Sequence, residues 1–384
     1  MMQIIEVNHA TTAKQFLELP LFIYQNDKNW IRPLDQDIQA VFDPNKNKAL
    51  KDGSVLNRWV VKKNEQIVGR IAAFVNPKYK ENQPTGGIGF FDAIDDQEVA
   101  NLLFDTAKNW LAQQGMKAMD GPINLGERDQ WWGLLVEGFY PPLYHMNYNL
   151  PYYQKLFETY GFQNYFNQEC YSLDFETEMS ERLKFLHQRI KRTGKYKAEY
   201  LKKSNIDKFI RDFVTIYNDA WATHGGGKQL TLKEGENIFK QMKPVIDEKL
   251  LWFVYHEDKP IAFWINLPDL NYYFKRLNGK FGLWQKIKFI SMLKLMKSPK
   301  AVGIVFGVIP DFQGKGVEAF MIIEGRETIR KDLNYSEYEM QWIGDFNPKM
   351  IKIAHELGAN LSRKLTTYRY MIDKSIPFER HRVL

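Results

Sequence analysis

The sequence contains a single cysteine, Cys170, among its 384 residues. One thiol cannot close an internal disulfide, and it cannot supply a cysteine-rich metal site. The first residues, MMQIIEVNHATTAKQF, lack the apolar run of a signal peptide. No window reaches the roughly 18 to 20 apolar residues that a membrane span requires. These absences predict a cytoplasmic protein that holds no metal ion and does not cross a bilayer.

Acidic residues are absent from one long stretch, which lies between Asp269 and Asp311. Lysine and arginine are frequent there and contribute to the net charge of +7. Its segment 283–297 places apolar residues on one helical face, with lysines around that face. A basic amphipathic helix can lie in an anionic membrane interface, although the pattern also fits a helix packed on its own domain. We therefore predict peripheral contact with the inner membrane through residues 272–300. No nucleic-acid motif accompanies these residues, so no nucleic-acid partner is expected.

The length of the chain and its 44% hydrophobic content are sufficient for two domains. The same order of elements is predicted twice: strands, a helix, a strand, and a helix that ends in glycine. In the first half these segments are 59–61, 66–75, 87–94, 97–114, 153–160 and 171–175. In the second half they are 250–255, 261–267, 301–309, 316–330, 337–343, 348–357 and 365–372. A polar, basic stretch at 177–203 separates them, so we predict the domains 1–178 and 179–384.

The most informative local pattern is VIPDFQGKGV at 308–317, between a predicted strand and a predicted helix. A glycine-rich loop at a helix N-terminus directs unpaired backbone N–H groups at one point, where a pyrophosphate can bind. Gly314 and Gly316 lack the Cβ atoms that would hold phosphates away from the backbone. Gln313 and Lys315 add side-chain donors. A plain strand-to-helix turn is the alternative interpretation.

This loop resembles motif A of the GNAT superfamily of acyltransferases, in which Arg or Gln is followed by two residues, Gly, one residue, and Gly or Ala. Gln313 and Gly316 match, whereas Glu318 takes the last position and Ala319 follows it. The resemblance implies that acyl-CoA binds here and that backbone N–H groups near the start of the loop polarise the thioester carbonyl. The coenzyme-binding residues predicted in this loop are Val308, Ile309, Gln313, Gly314, Lys315, Gly316 and Val317.

The segment 342–358 resembles motif B of the same superfamily, in which an Asn opens a helix that ends in Leu-Gly. Asn347 opens the helix here and is also predicted to bind the coenzyme. Many members carry on this helix a Tyr that protonates the leaving thiolate, and Ala354 stands at that position. The proton then comes from water or from one of three other residues. These are His355, Tyr368 and Tyr370.

Two residues are candidates for the catalytic base that accepts the amine proton. Glu339 lies on the predicted strand 337–343, and a carboxylate in a closed, partly apolar cleft would have a raised pKa. An exposed strand residue is the alternative for Glu339. His224 lies in the segment ATHGGG, where the alternative is a solvated loop histidine.

The first half lacks a comparable loop, because the equivalent segment 90–98 reads FFDAIDDQE, without glycine and with several acids. Asp95 or Asp96 can cap the following helix, filling the N–H groups that a phosphate needs, while the negative charge repels an anion. This half is predicted to be a degenerate copy that completes a substrate cleft.

A long aromatic segment at 120–153 supports that role. An irregular segment of this length inside a compact domain is usually functional, and its apolar side chains must be covered. It is predicted to line a ligand cleft; the alternative is that it forms core between the halves. The predicted cleft residues are Asn124, Trp132, Tyr148, Asn149 and Tyr153.

Several segments together resemble the bacterial ceramide synthase-like family over nearly the whole chain. They are GLLVEGF at 133–139, Pro141-Pro142, the run NLPYY at 149–153, LPDLN at 267–271, and the loop 308–317. The GNAT resemblance implies an α+β fold of two GNAT-like domains, each a mixed, mostly antiparallel sheet flanked by helices. The family resemblance implies transfer of a long acyl chain from acyl-CoA to the amine of a sphingoid base.

The leading functional hypothesis is an acyl-CoA-dependent N-acyltransferase that holds the amine and the thioester in one complex. Neither a covalent enzyme intermediate nor a metal is required. The expected partners are acyl-CoA, as co-substrate, and an amine acceptor. Two alternatives stay open: a transferase acting on a small polar amine, and a non-catalytic protein that binds acyl-CoA or another ligand.

Overall fold

The computed structural model describes residues 1–79, 81–126, 128, 130–222 and 229–383. The strands of the first half are β1 (Met2–Glu6), β2 (Val55–Lys63), β3 (Gln66–Val75), β4 (Thr85–Ala93), β5 (Ala118–Gly121), β6 (Leu134–Glu137) and β7 (Gln163–Asp174). Its helices are α1 (Ala10–Ile23), α2 (Asp35–Phe42), α3 (Lys48–Lys51), α4 (Gln97–Gln113) and α5 (Tyr153–Tyr160).

The strands of the second half are β8 (Tyr196–Tyr200), β9 (Leu251–His256), β10 (Lys259–Pro268), β11 (Lys300–Val308), β12 (Glu337–Gly344) and β13 (Asn360–Met371). Its helices are α6 (Glu181–Arg192), α7 (Ile206–Tyr217), α8 (Leu232–Met242), α9 (Asn271–Phe274), α10 (Leu283–Leu295), α11 (Val317–Asp332) and α12 (Pro348–Glu356). The polar stretch predicted to separate the halves contains α6. No helix in the described part of the chain combines the length and the apolar character needed to cross a membrane.

One sheet of 13 strands runs through the molecule, in the order β1-β2-β3-β4-β5-β13-β7-β12-β11-β10-β9-β8, with β6 paired to β13. Its neighbours are antiparallel except for two parallel pairs, β4 with β5 and β11 with β12, one in each half. This mixed, mostly antiparallel sheet with flanking helices confirms the predicted α+β fold.

The two halves exchange their last strands. β13, near the C-terminus, pairs with β5 through Tyr368 and Gly121, and it lies between β5 and β7. β7 pairs in turn with β12 of the second half through Leu173 and Tyr338. The predicted domain boundary at 178/179 therefore separates the halves along the chain, but each half contains a strand that pairs with strands of the other half. The boundary stays a prediction.

The elements predicted from apolar periodicity are present, although β2, β7 and β13 begin four to eight residues earlier than predicted. α4 buries Val99, Leu103 and Phe104 against β2 and β3, as its helical spacing indicates. β7 begins eight residues before the predicted strand 171–175. The prediction was too short because polar residues such as Asn167 and Gln168 interrupt the apolar pattern of β7. Gln168 is nevertheless fully buried, since β13 and β12 flank it on both sides.

Candidate active site

The loop 308–317 follows β11 and leads into α11. Gly314 and Gly316 have φ angles of +68° and +97°, a left-handed region that glycine adopts without steric cost. Gly316 is the N-cap residue of α11, and no side chain makes a capping hydrogen bond there. The first amides of α11 are therefore not covered by a neighbouring side-chain cap.

One amide of the loop does have a partner. Glu318 Oε1 accepts a hydrogen bond from the Gly314 N–H at 3.2 Å. A carboxylate in the first turn of a helix interacts favourably with the positive end of the helix dipole. A phosphate bound at Gly314 would have to displace this carboxylate.

The two predicted side-chain donors of the loop differ in their contacts. Gln313 Nε2 donates to the Val308 carbonyl at 2.9 Å, so this side chain braces the loop instead of projecting from it. Lys315 is exposed, and its Nζ lies 5.4 Å from the centre of the Phe312 ring. Arg189 of α6 donates to the Lys315 carbonyl at 2.7 Å. The charge of Lys315 therefore stays available at the mouth of the loop.

β11 and β12 diverge beside this loop. They pair only through 300–303 and 337–340. The register of β11 against β10 shifts at Ile304, because Ile265 faces Val305 whereas Asn266 faces Gly303. Ile304 is thus the extra residue of a β-bulge, which bends a strand locally. Beyond it, the remainder of β11 leaves β12, and an opening forms between the two strands.

The GNAT resemblance places the oxyanion donors among the backbone N–H groups near Val308 and Ile309, and one of these groups already has a partner. The Ile309 N–H donates to the Ile261 carbonyl of β10 at 3.0 Å, so it is not free to polarise a thioester. Val308 is buried, and its carbonyl already accepts from Gln313. The remaining backbone edge that faces the opening is 304–308, where β11 has no partner on the β12 side within the described residues.

The equivalent opening of the first half is filled by the chain itself. β4 pairs with β5 only through 85–87. The Ile123 N–H donates to the Ile88 carbonyl at 2.7 Å, and a Cβ at Gly89 would lie 2.0 Å from the Ile123 carbonyl oxygen. Asp96 caps α4 by accepting from the Glu98 N–H at 2.9 Å, as expected for one of the two candidate caps. An anion has no open helix N-terminus here.

Glu339, one predicted base, is 1% exposed and lies in a buried ion pair. Its Oε1 is 2.6 Å from Arg363 Nε, and its Oε2 is 2.7 Å from Lys300 Nζ. Burial acts to raise the pKa of Glu339, but the charges and hydrogen bonds of Arg363 and Lys300 outweigh it, so the pKa is lowered. The expectation of a raised pKa is therefore wrong. This environment holds Glu339 as an anion and disfavours it as a proton acceptor.

The other predicted acid–base residues are scattered. His224 lies outside the described residues. The Tyr368 hydroxyl donates to Glu158 at 2.8 Å inside the core of the first half, and Tyr370 packs against the Tyr160 ring there. His355 is exposed on α12. These positions leave neither tyrosine beside the loop 308–317.

Two further motif B residues are where the pattern places them. Asn347 Oδ1 caps α12 by accepting from the Met350 N–H at 3.4 Å. Ala354 stands on α12 where many GNAT members have Tyr, and its methyl side chain cannot donate a proton. It is fully buried.

Of the five residues predicted to form the substrate cleft, two line the same cavity. Tyr148 and Asn149 line a cavity of about 80 Å³ in the first half. Asn124 and Trp132 are buried outside its wall, and each has a buried polar atom without a hydrogen-bond partner. Tyr153 is fully buried, and its hydroxyl donates to Asp92 at 3.1 Å, so its role in the structure is that of a core residue.

Polar residues that no local sequence pattern predicts also line this cavity. Arg70 Nε donates to Asp92 Oδ2 at 2.7 Å, and the Tyr24 hydroxyl donates to Asp92 Oδ1 at 2.6 Å. His145 of the aromatic segment lines the same cavity, and Asp37 of α2 lies 3.4 Å from its Nε2. No local spacing connects these residues. The available signal was Asp92 itself, an acid within an otherwise apolar buried strand.

Asp269 was also not singled out as a titratable residue, although it lies in the LPDLN run. Burial raises the pKa of Asp269 to about 6, against the opposing effects of the Asn271 amide and the Lys300 charge. The Asn271 N–H donates to its Oδ1 at 3.0 Å. Among the described residues, no group of three or more His, Cys, Asp or Glu side chains is placed to hold a metal ion.

The architecture matches solved structures. The structure is similar to a tandem GNAT protein from the clavulanic acid biosynthesis pathway, with a TM-score of 0.54 and 11% identity over 99% of this chain and 100% of that chain. The chain has the tandem GNAT fold. A GCN5-related glucosamine N-acetyltransferase region of a fungal multi-domain β-N-acetylglucosaminidase gives a TM-score of 0.55 with 11% identity, over 96% of this chain and 38% of that one.

The chain is similar in sequence to two relatives over almost its whole length. It is 28% identical over 380 residues to the bacterial ceramide synthase of Caulobacter vibrioides (strain NA1000 / CB15N), covering 96% of this chain and 97% of the relative. It is 27% identical over 370 residues to protein YghO of Escherichia coli (strain K12), covering 94% and 93%. No family model matches the chain. The relatives confirm the predicted resemblance to the bacterial ceramide synthase family.

Proposed function

We propose that the protein is an acyl-CoA-dependent N-acyltransferase. The observation that carries this proposal is the start of α11, where the uncapped residue Gly316 lies beside the opening between β11 and β12. Backbone amides at a helix N-terminus bind phosphate groups, so the loop 313–317 holds the pyrophosphate of the coenzyme. The thioester then lies along the divergent edge of β11, where an amide polarises its carbonyl.

The reaction is a direct transfer. The amine nitrogen attacks the thioester carbonyl carbon, a C–N bond forms and the C–S bond breaks. The amine proton passes to a base, and the CoA thiolate takes up a proton. Cys170 is fully buried, and burial raises the pKa of its thiol, so it supplies no thiolate for a covalent intermediate. Holding both substrates in one complex supplies much of the rate.

We assign the two halves different roles in this reaction. Residues 179–384 bind acyl-CoA, and residues 1–178 complete the acceptor cleft. In support, Asp96 caps the equivalent helix in the first half and Ile123 fills the equivalent opening.

We propose a long-chain acyl donor and a sphingoid base as acceptor. One support is the similarity to a relative named bacterial ceramide synthase. The other is α10, whose buried residues Phe289 and Met292 pack inward while much of the rest of the helix is uncovered. Trp284 is 77% exposed and Leu295 is 84% exposed. Further exposed apolar residues of this helix are Leu283, Ile287 and Ile290.

Exposed lysines surround this apolar face of α10, and they are Lys286, Lys288, Lys294 and, just beyond the helix, Lys297. A helix that only packs on its own domain would bury its apolar residues, whereas Leu283, Ile287 and Ile290 face outward. We therefore propose that 272–300 contacts an anionic membrane surface, where lipid substrates are available.

The test combines calorimetric binding of CoA and acyl-CoAs with release of free CoA from a panel of acyl-CoAs, sphingoid bases and small amines. We expect binding and turnover by the wild type, with preference for a long acyl chain. Gly316→Glu should abolish binding because it adds a negative charge at the N-cap of α11 and because its Cβ would lie 3.2 Å from Leu186 Cβ of α6. Gly53→Glu is the matched control, since Gly53 has a similar φ of +93° and a Cβ added there would have no atom within 4 Å. Absence of binding to any CoA compound would overturn the proposal. Preference for acetyl-CoA with small amines would overturn the long-chain donor and sphingoid acceptor and favour a transferase that acts on a small polar amine.

A further inference from the structure

A histidine–carboxylate pair lies at the first-half cavity, because His145 lines the cavity and Asp37 contacts His145. His145 Nε2 lies 3.4 Å from Asp37 Oδ2, and the Tyr144 hydroxyl donates to the same oxygen at 2.8 Å. His145 Nδ1 has no hydrogen-bond partner in the described part of the chain. A carboxylate that orients one imidazole nitrogen leaves the other nitrogen able to exchange a proton, which is the arrangement of a general base.

Backbone strain is concentrated at the same cavity. Phe90, Trp131 and His145 have φ angles of +50°, +45° and +64°, and all three line it. Residues with large side chains seldom adopt this conformation, and such strain persists mainly where the surrounding structure serves a function. The Trp131 N–H donates to the His145 carbonyl at 2.7 Å, so two of the strained residues hold each other in place.

A series of aromatic contacts connects His145 to α10. The His145 ring stacks on Tyr144 with centroids 3.7 Å apart, Tyr144 contacts Phe274 at 4.9 Å, and Phe274 stacks on Phe289 at 5.0 Å. Phe289 lies on the buried face of α10. The cavity therefore lies behind the helix whose opposite face is exposed and basic.

One apolar cluster connects the cavity to β12 of the second half. Met146 and Tyr148 line the cavity, and both belong to one apolar cluster with Trp342 of β12. Trp342 lies beyond the segment of β12 that pairs with β11. The cavity and this unpaired part of β12 therefore share one apolar cluster, formed by Leu135, Cys170 and Leu365.

We propose that this cavity receives the amine end of the acceptor and that His145, oriented by Asp37, accepts the amine proton as the C–N bond forms. The inference rests on the acyl-transfer function proposed above. The proton leaves nitrogen for His145 Nδ1 and then returns to the departing CoA thiolate, so the transfer is balanced without another reactant. A volume of about 80 Å³ accommodates an amine with its first carbons, and the aliphatic chain extends towards α10.

The charges around the pair favour this assignment. Arg70 and Asp92, on the same wall, are paired with each other at 2.7 Å. Asp27 Oδ2 accepts from the Tyr148 hydroxyl at 2.6 Å. Asp37 is thus the carboxylate in direct contact with His145.

The test measures CoA release at saturating acyl-CoA for His145→Asn and His145→Ala. Removal of a general base lowers kcat by about 10²- to 10⁴-fold, while acyl-CoA affinity and the thermal midpoint should stay close to those of the wild type. Added imidazole should restore part of the turnover of His145→Ala. His187→Ala is the matched control, because His187 Nε2 also contacts a carboxylate, Glu324 at 2.8 Å, away from the cavity. It should keep its turnover and show no response to imidazole.

Turnover of His145→Ala within threefold of the wild type would overturn the proposal, and so would a loss that imidazole does not restore. If the wild type transfers no acyl group to any amine, the acyltransferase proposal fails independently. Dodecylamine binding then tests separately whether the cavity holds an amine. It is followed through the fluorescence of Trp30 and Trp131, which line the cavity. We expect binding that Asp37→Asn weakens. No binding, or binding unaffected by Asp37→Asn, overturns the amine site.

Discussion

The Glu318 carboxylate accepts a hydrogen bond from the Gly314 N–H at 3.2 Å, so the loop proposed to hold a pyrophosphate already holds a negative group of its own. A ligand phosphate has to displace this side chain and overcome its charge. The helix dipole that favours Glu318 at this position is the same dipole that favours the phosphate.

Replacing Glu318 should therefore strengthen coenzyme binding. We expect Glu318→Gln to lower the Kd for CoA by about 2- to 5-fold, since charge at a helix terminus contributes about 0.3–1 kcal/mol. Calorimetry at low and high salt measures this, and the gain should shrink at high salt. Glu327→Gln is the control, because Glu327 lies further along α11 with its side chain exposed. Unchanged or weaker binding by Glu318→Gln would place the phosphates elsewhere.

The buried pair of Glu339 and Arg363 should act mainly on stability. Removing one partner of a buried ion pair leaves the other charge uncompensated, which costs about 3–5 kcal/mol. We expect Glu339→Gln to lower the free energy of unfolding in urea by about this amount, while turnover per folded molecule persists. Glu337→Gln is the control, because Glu337 is exposed and its contact with Lys300 is 3.5 Å; an exposed pair contributes about 0–1 kcal/mol. A folded Glu339→Gln protein without turnover would restore Glu339 as the base.

Asp269 predicts a specific dependence of stability on pH. Its pKa of about 6 in the folded protein lies above the ordinary value of about 3.9. The folded state thus binds this proton more tightly than the unfolded state, and the resulting stabilisation is present at low pH and is lost as the pH rises through 6. Asp269→Asn should equal the wild type near pH 4 and exceed its stability by up to about 3 kcal/mol at pH 7.

Thermal and urea unfolding across that pH range measure the difference. Asp258→Asn is the control, because Asp258 is exposed in the turn between β9 and β10. A stability difference between Asp269→Asn and the wild type that does not change with pH would contradict the prediction.

Membrane contact through α10 should depend on its exposed apolar side chains. We expect Trp284→Glu combined with Ile287→Glu to reduce binding to vesicles containing phosphatidylserine by at least about 10-fold, because charged groups lose the interfacial burial of apolar area. The thermal midpoint should not change, since both side chains lie outside the core. Vesicle sedimentation measures binding, and high salt should weaken the wild type. Phe185→Glu, at an exposed apolar residue of α6, is the control. Equal binding by all three proteins would refute contact through α10.

Local patterns were sufficient for most elements and for the loop. The apolar spacing of α4, the glycine that ends α5, and the strand–loop–helix order around Gly316 depend on residues close together in the chain. The cap of α4 by Asp96 is equally local, since a side chain bonds to amides two and three residues away. Such features are readable because the interacting groups are sequence neighbours.

The order of elements, the likeness to the GNAT motifs and the position of the glycine-rich loop 308–317 could be read from the sequence. Contacts between distant segments place β13 in the first half, Glu339 against Arg363, and Asp37 against His145. They also decide which face of α10 is exposed. The physical reason is that burial, and with it the charge state and accessibility of a side chain, depends on segments that are distant in the chain and meet only when the sheet assembles.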